Sequence, residues 1–300
     1  MRKRFFVLLA FLFLSVTYSQ SGINRFLKPS DTLNTSRRNA VVISEVSLAT
    51  LTLLGLNQLW YADYTKSSFK TVNDSREWRQ MDKFGHVFSS YQLGRLGANA
   101  LNWAGVGRKD QLIYGSTLGL GFLTAVEIMD GFSDEWGFSW ADMAANAMGT
   151  GLYVGQELLW RDQRLLLKYS FHRTDFAQVR PNVLGDGLAE EFLKDYNGQT
   201  YWLSANINSF LKLDFIPDWL NLAFGYGADG MLTGNPNDPS FENQQRISQY
   251  YLSLDIDLSR IKTKSHLLKT IFDVLNVIKV PFPTLELNSQ GQLKGYILYF

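Results

Sequence analysis

The sequence predicts an α+β protein, with an N-terminal four-helix bundle followed by an antiparallel β-sheet or small outer-membrane β-barrel. Two observations carry this prediction. Up to residue 162 apolar residues recur with a period near 3.6, and from residue 163 large and small residues alternate with a period of 2. Length supports it too: 300 residues at 46% hydrophobic content supply one large core or two modest ones without covalent staples.

Residues 1–19 have the three parts of a signal peptide: basic MRKR, apolar FFVLLAFLFLSV, and TYSQ with small Thr17 and Ser19 suited to cleavage before Gln20. The apolar run is too short for a comfortable membrane span. MRKR supplies three of the 29 basic residues; without it 26 basic residues face 28 acidic ones, a balance of −2. That value gives no electrostatic reason for a nucleic-acid partner. Cysteine is absent, which excludes disulfides, thiolate metal sites and an acylated N-terminal Cys.

A polar segment, 20–34, leads into the helical domain, 35–162. Its first helix is read from AVVISEVSLATLTLLGLNQLW, Ala40 to Trp60, long enough to cross a bilayer but interrupted by Glu45 and Asn57. The second is expected from Trp78 or Asp82 to Trp103, the third from Asp110 to Met129 and the fourth from Trp140 to Trp160. Gly115 and Gly119, and Ala141, Ala145 and Gly149, are small residues at four-residue spacing, which lets helix backbones approach closely. Glu45, Arg95, Asn99, Asn102, Glu127, Asp142 and Asn146 are expensive in lipid, so a compact periplasmic bundle is preferred over a spanning one, which the sequence leaves open.

In the β-rich domain, 163–300, the clearest strand is YYLSLDIDLSR, where Tyr250, Leu252, Leu254, Ile256 and Leu258 alternate with mostly polar residues. LNLAFGYGADGM sets Leu220, Leu222, Phe224 and Tyr226 against small or polar neighbours, the pattern of lipid outside and a crowded polar interior. Further strands are expected at 165–171, 200–207, 282–288 and 293–300. Six strands are too few for the smallest common closed barrel, so closure requires strands the pattern does not reveal. In SHLLKTIFDVLNVIK, Leu267, Leu268, Ile271, Phe272, Leu275 and Ile278 form a helical stripe expected to pack under the sheet.

Three clusters hold the candidate chemistry. In MDKFGHVFSSY, Asp82 and His86 stand at i and i+4 with Lys83 beside them and Tyr91 beyond, so a carboxylate can orient an imidazole. In EIMDGF, Glu127 and Asp130 stand at i and i+3. In SWADMAAN, Ser139, Asp142 and Asn146 open the fourth helix; Ser139 and Asp142 also approximate a capping box. If these helices pack side by side, Asp82, Lys83, His86, Glu127 and Asp142 converge, and general acid–base work becomes feasible. Tyr91, Asp130, Ser139, Asn146 and Gly149 read as polar-motif or packing residues. His86, Glu127 and Asp142 are the residues that would ligate a metal, but no spacing is diagnostic, so neither metal nor cofactor is expected.

These residues carry a resemblance. DKFGH, then Glu127, then FSWADMAANAMG resembles the YfiM-like periplasmic family, a domain of unknown function, and more distantly VanZ-like membrane proteins, over roughly residues 35–160. Asp82, Lys83, His86, Glu127, Ser139, Asp142, Asn146 and Gly149 match the motif residue by residue. YfiM-like proteins are described as lipoproteins, whereas this chain has no cysteine to acylate, and VanZ-like proteins lack the β-rich tail. The tail is similar to C-terminal extensions of such proteins in Bacteroidota, which have segments like Lys194 to Ser204. The resemblance implies an envelope location and no established reaction.

The preferred functional expectation is therefore an exported, outer-membrane-associated structural or accessory protein, with outer-membrane lipid or another envelope protein as partner and no assigned small-molecule ligand. An envelope enzyme acting on a lipid, glycan or phosphorylated headgroup is the alternative. A small pore or transporter is the third reading.

Overall fold

The computed structural model describes residues 22–58 and 65–300. The signal-peptide segment and the expected end of the first helix at Trp60 lie outside them. Helix α1 (Thr35–Leu56) starts at Asn34, whose side chain accepts from the Arg37 amide. It contributes only Val41 to the buried set, while Val42, Ile43, Val46, Leu48, Leu51 and Leu54 are exposed. The expected four-helix bundle is therefore not what forms. Helices α2 (Met81–Trp103), α3 (Leu118–Gly131, preceded by a π-turn at Gln111–Gly115) and α4 (Trp140–Leu159) pack on one another, and α1 lies along the outside of α2. Its apolar residues ring the helix instead of forming one stripe, so no single face can be buried against a bundle.

Segment Arg108–Gly131, like α1, is long and apolar enough to cross a membrane. Its Gly119, Leu123 and Glu127 are buried among α2 and α4, which makes it a bundle helix. Close approach requires glycine at two helix contacts: a Cβ at Gly119 would collide with the Ser90 carbonyl on α2, and one at Gly149 on α4 with the Val87 carbonyl.

The helical half meets a six-stranded antiparallel meander. A short parallel pair, β1 (Thr71–Val72) and β2 (Phe138–Ser139), precedes it. The meander itself is β3 (Leu165–Phe171), β4 (Gln199–Asn206), β5 (Leu220–Asp229), β6 (Ile247–Ile256), β7 (Phe282–Asn288) and β8 (Leu293–Tyr299), paired in chain order. All six strands fall where the alternation puts them.

Polarity across this sheet is reversed relative to a water-soluble one. Ser204, Asn221, Ser253, Asp255, Thr284, Glu286 and Asn288 are buried, while Leu203, Phe224, Leu252, Leu254, Leu285 and Leu287 on the opposite face are exposed. The register aligns Lys168, Trp202, Gly225 and Tyr251 across four strands. In a flat sheet the first and last would stand about 14 Å apart. Yet Lys168 Nζ reaches Asp255 Oδ2 on β6 at 2.7 Å, and Thr200 on β4 lies 3.1 Å from the Tyr299 hydroxyl, four strands away. The sheet is rolled around its polar face.

Rolling brings a full set of partners inward. Asp255 also accepts from Ser204 Oγ at 2.7 Å and the Val280 amide at 3.1 Å, and Lys168 Nζ donates to the Ile256 carbonyl. Trp202 donates to Ser170 Oγ, Tyr299 to the Tyr251 hydroxyl, and Gly225 on β5 leaves room for the indole. The interior is thus packed with side chains.

Of the two expected forms the antiparallel sheet is the one present, and the barrel does not close: among the described residues β3 and β8 do not pair. Instead the loop before β7 covers the free edge of β3. The Tyr169 amide donates to the Val277 carbonyl at 3.0 Å, and the Lys279 amide to the Tyr169 carbonyl at 2.9 Å. This bridge gives the Tyr169 amide and carbonyl the partners that a further strand would have supplied, while side chains of Tyr91, Gln92 and Gln156 donate to the Leu165 and Leu167 carbonyls.

Helix α5 (His266–Leu275) corrects another expectation. Its stripe was expected beneath the sheet, but Leu268, Ile271 and Leu275 are exposed. The helix lies beside α1 and α2, where Asp273 pairs with Arg95 and accepts from Asn99. A cavity of about 1120 Å³ opens between the three helices, lined in part by Val41, Leu48, Leu96, Phe122, Phe272 and Val274.

The Lys168–Asp255 pair is fully buried, so removing one charge strands the other. Lys168→Met is expected to cost about 3–5 kcal/mol, read as a lowered thermal midpoint in detergent. A variant as stable as wild type would contradict the rolled interior.

Candidate functional site

The predicted cluster assembles where the first turns of α2 and α4 meet the end of α3. Sequence reasoning missed one of its anchors, Asp74, which lies just after β1. The β1–β2 pairing aligns Val72 with Ser139 and so carries Asp74 to the start of α4. There Ser139 Oγ donates to Asp74 Oδ1 at 2.6 Å. Its NDSREW segment lay within the family-like region, but its irregular backbone gave no periodic signal.

The approach to α2 is strained. Trp78, Arg79 and Gln80 all have positive φ (45°, 49° and 67°), at a cost of about 1–2 kcal/mol for each residue that lacks glycine's freedom. Contacts from the sheet hold this turn: the Trp78 amide donates to the Gly234 carbonyl at 3.1 Å, the Tyr226 hydroxyl to the Arg79 carbonyl at 2.7 Å, and Arg79 to the Arg246 carbonyl at 2.6 Å. The turn delivers Asp82 and Lys83 to the first turn of α2.

Lys83 is the hub. Its ammonium donates to Asp74 Oδ2 at 2.5 Å, Asp82 Oδ2 at 2.9 Å and Asp142 Oδ2 at 2.9 Å. Every donor of that ammonium is used. Ser139 caps α4 by accepting from the Asp142 amide at 3.1 Å, as the capping-box reading expects. The reciprocal bond comes from elsewhere: the Ser139 amide donates to Glu127 Oε2 at 3.1 Å. Glu127 thereby frees the Asp142 carboxylate to face Lys83 and His86.

His86 sits among three carboxylates. Its Nε2 lies 3.7 Å from Asp82 Oδ1, 3.6 Å from Glu127 Oε1 and 3.9 Å from Asp142 Oδ1. On the other side Nδ1 is 3.0 Å from Asn146 Oδ1, which orients the ring. Tyr196, from the segment before β4, donates its hydroxyl to Asp82 Oδ1 at 2.9 Å. It joins the β-rich half to the cluster, and the sequence showed it only as part of the tail segment Lys194–Ser204.

Two motif residues lie apart. Tyr91 packs edge-on against Tyr153 and its hydroxyl bonds to Gln163 and the Leu165 carbonyl, so it belongs to the core. Gly149 provides close helix contact only. Asp130, one turn beyond Glu127, raises the Glu127 carboxyl through its negative charge.

The electrostatics follow from burial. Desolvation pushes Glu127 up to about 8, with Asp142 adding to the rise and His86 opposing it. Asp142 is pushed up to about 7 by burial and by Asp82, against His86 and Lys83. Burial opposes charge on Asp82 and on His86 as well, but His86 and Lys83 hold the Asp82 carboxyl low, and Asp82, Asp142 and Glu127 hold the His86 imidazole high. Lys83 is raised by its carboxylates despite burial.

Residues 72–156 match the model of the DUF2279 family, described as a predicted periplasmic lipoprotein. The matched stretch contains Asp74, Asp82, Lys83, His86, Glu127, Ser139, Asp142 and Asn146, and ends before Tyr196. The match supports an exported, envelope location and likeness to an uncharacterised periplasmic family. No curated protein and no solved structure matches the chain.

Raised carboxyls keep protons in the folded protein that the unfolded chain releases at ordinary carboxylate pKa values. Stability of chelator-treated protein is therefore expected to fall as pH rises from about 5 toward 8. The raised His86 acts in the same direction above its ordinary range. Glu127→Gln should flatten the profile of thermal midpoint against pH; an unchanged slope would show that Glu127 ionises freely.

Proposed function

We propose that this chain is an outer-membrane-associated envelope protein of structural or accessory role, seated in lipid through the outer face of its rolled sheet and through α1. One observation carries the reading: the exposed face of β4–β7 is leucine and phenylalanine, while the polar side chains are inside and paired. Each large apolar side chain left in water forgoes roughly 1.5–3 kcal/mol, which lipid would return. The exposed apolar surface of α1 and the unburied stripe of α5 add to the same reading. The likeness to a family described as periplasmic lipoprotein supports the envelope half of it. Since the chain contains no cysteine, attachment through its own apolar surface replaces an acylated one.

In this reading the Lys83 cluster locks α2, α3 and α4 in register and, through Tyr196, fixes the sheet to them. The motif likeness to YfiM-like and VanZ-like proteins is compatible with that role, and no activity is carried over from either. A second reading, an envelope enzyme acting on a lipid, glycan or phosphorylated headgroup, rests on the oriented His86 beside Lys83 and three carboxylates. A pore is disfavoured by the filled interior, where Trp202, Tyr251 and Tyr299 pack together.

Expressed in a Gram-negative host, the protein is expected in the outer-membrane fraction, resistant to carbonate extraction. Leu252→Asp combined with Leu285→Asp should shift it toward soluble or degraded material, whereas the same change at exposed Lys262 should not. Recovery of the wild type in the soluble periplasm would sink the proposal.

A further inference from the structure

We infer that Asp82, His86 and Asp142 form a binding site for one divalent first-row transition-metal ion, with Glu127 at its edge. The three side chains can each offer an atom such that all three atoms lie within 4.8 Å of one another. The argument begins with the imidazole. With Asn146 Oδ1 accepting from Nδ1–H, Nε2 presents its lone pair to the carboxylate oxygens of Asp82, Glu127 and Asp142. Lone pairs facing carboxylates repel unless something positive lies between them.

A proton on Nε2 supplies charge but not contact. The separations of 3.6–3.9 Å exceed hydrogen-bond length for all three oxygens. A transition-metal ion bound at about 2.0–2.2 Å from each ligand sets its ligand atoms roughly 3–4.4 Å apart, which spans these separations. The geometry is therefore that of groups arranged around a common centre.

Independent support comes from Asp142. The residue is 3% exposed, and its Oδ1 has no hydrogen-bond partner although Oδ2 is bonded to Lys83. A buried carboxylate oxygen without a partner is costly, and this one is aimed at the gap beside His86 Nε2. Charge points the same way, because the carboxylates of Asp74, Asp82 and Asp142 all surround one fixed cation, Lys83. Lys83 takes the Oδ2 atoms of Asp82 and Asp142, which leaves Asp142 Oδ1 unpartnered, while Asp82 Oδ1 accepts from the Tyr196 hydroxyl and keeps a second lone pair for the ion. One imidazole nitrogen with carboxylate oxygens suits Zn²⁺, Mn²⁺ or Fe²⁺ better than Mg²⁺ or Ca²⁺, whose sites are built from oxygen.

The full chain, purified in detergent without a polyhistidine tag and stripped with EDTA, is titrated calorimetrically with MnCl₂, ZnCl₂ and MgCl₂. Saturable uptake of one Mn²⁺ or Zn²⁺ per chain is expected, with Mg²⁺ much weaker. Asp142→Asn and His86→Gln should each weaken binding roughly tenfold or more. Because either variant can fail to fold, the wild-type Mn²⁺ complex is also read by electron spin-echo spectroscopy, where coupling to one imidazole nitrogen is expected. No saturable uptake, a Mn²⁺ spectrum without nitrogen coupling, or folded variants that bind as wild type would each overturn the inference.

Discussion

A sheet that buries its polar face has to satisfy every group it buries, and that requirement governs the β-rich half. Lys168 and Asp255 meet in the middle of the rolled interior, where Ser204 and the Val280 amide also donate to the carboxylate and the Ile256 carbonyl accepts from the ammonium. Such a pair costs desolvation that its attraction only partly offsets, so it fixes geometry more than it adds stability. It specifies the curl: unless β3 and β6 approach across the interior, the charges cannot pair. The opposite face then has to present Leu203, Phe224, Leu252, Leu254, Leu285 and Leu287 outward. That exterior matches hydrocarbon better than water.

Near the Lys83 cluster the helical half is coupled to this sheet through the turn before α2 and through Tyr196. The left-handed turn at Trp78–Gln80 is held by the Gly234 and Arg246 carbonyls and by Tyr226, all from the β5–β6 region. Tyr196 then fixes Asp82 from the other side. Burial of its hydroxyl next to that carboxylate keeps it protonated and donating. Lys83 gathers carboxylates from three separate segments, so its ammonium is the point at which β1, α2 and α4 are brought into a single arrangement.

Much of this was legible in the sequence because period-2 alternation survives whichever face is buried. All six strands could be read, and so could the large-outside, small-inside pattern of Leu222, Phe224 and Tyr226 against Ala223, Gly225 and Gly227. Six strands already argued against closure, but the covering of the β3 edge was not legible, because the parallel bridge of Ile278 to Tyr169 joins residues with no shared pattern. The four-helix bundle was over-read for a related reason: α1 has the length and apolarity of a bundle helix, but periodicity cannot say whether an apolar surface meets protein or lipid. Within the site, Asp82, His86, Glu127 and Asp142 were readable because each sits on a helix with regular spacing. Asp74 and Tyr196 stand on irregular segments, and only the tertiary fold brings them in.

Because the chain contains no cysteine, a single spin label can be placed at will. The most direct test labels Leu252→Cys on the outer face of β6 in protein reconstituted in lipid, and compares its collision rate with oxygen against that with a water-soluble nickel chelate. Dominant oxygen contact is predicted, as for a residue in hydrocarbon. Dominant contact with the chelate would show that this face meets water and would contradict the account.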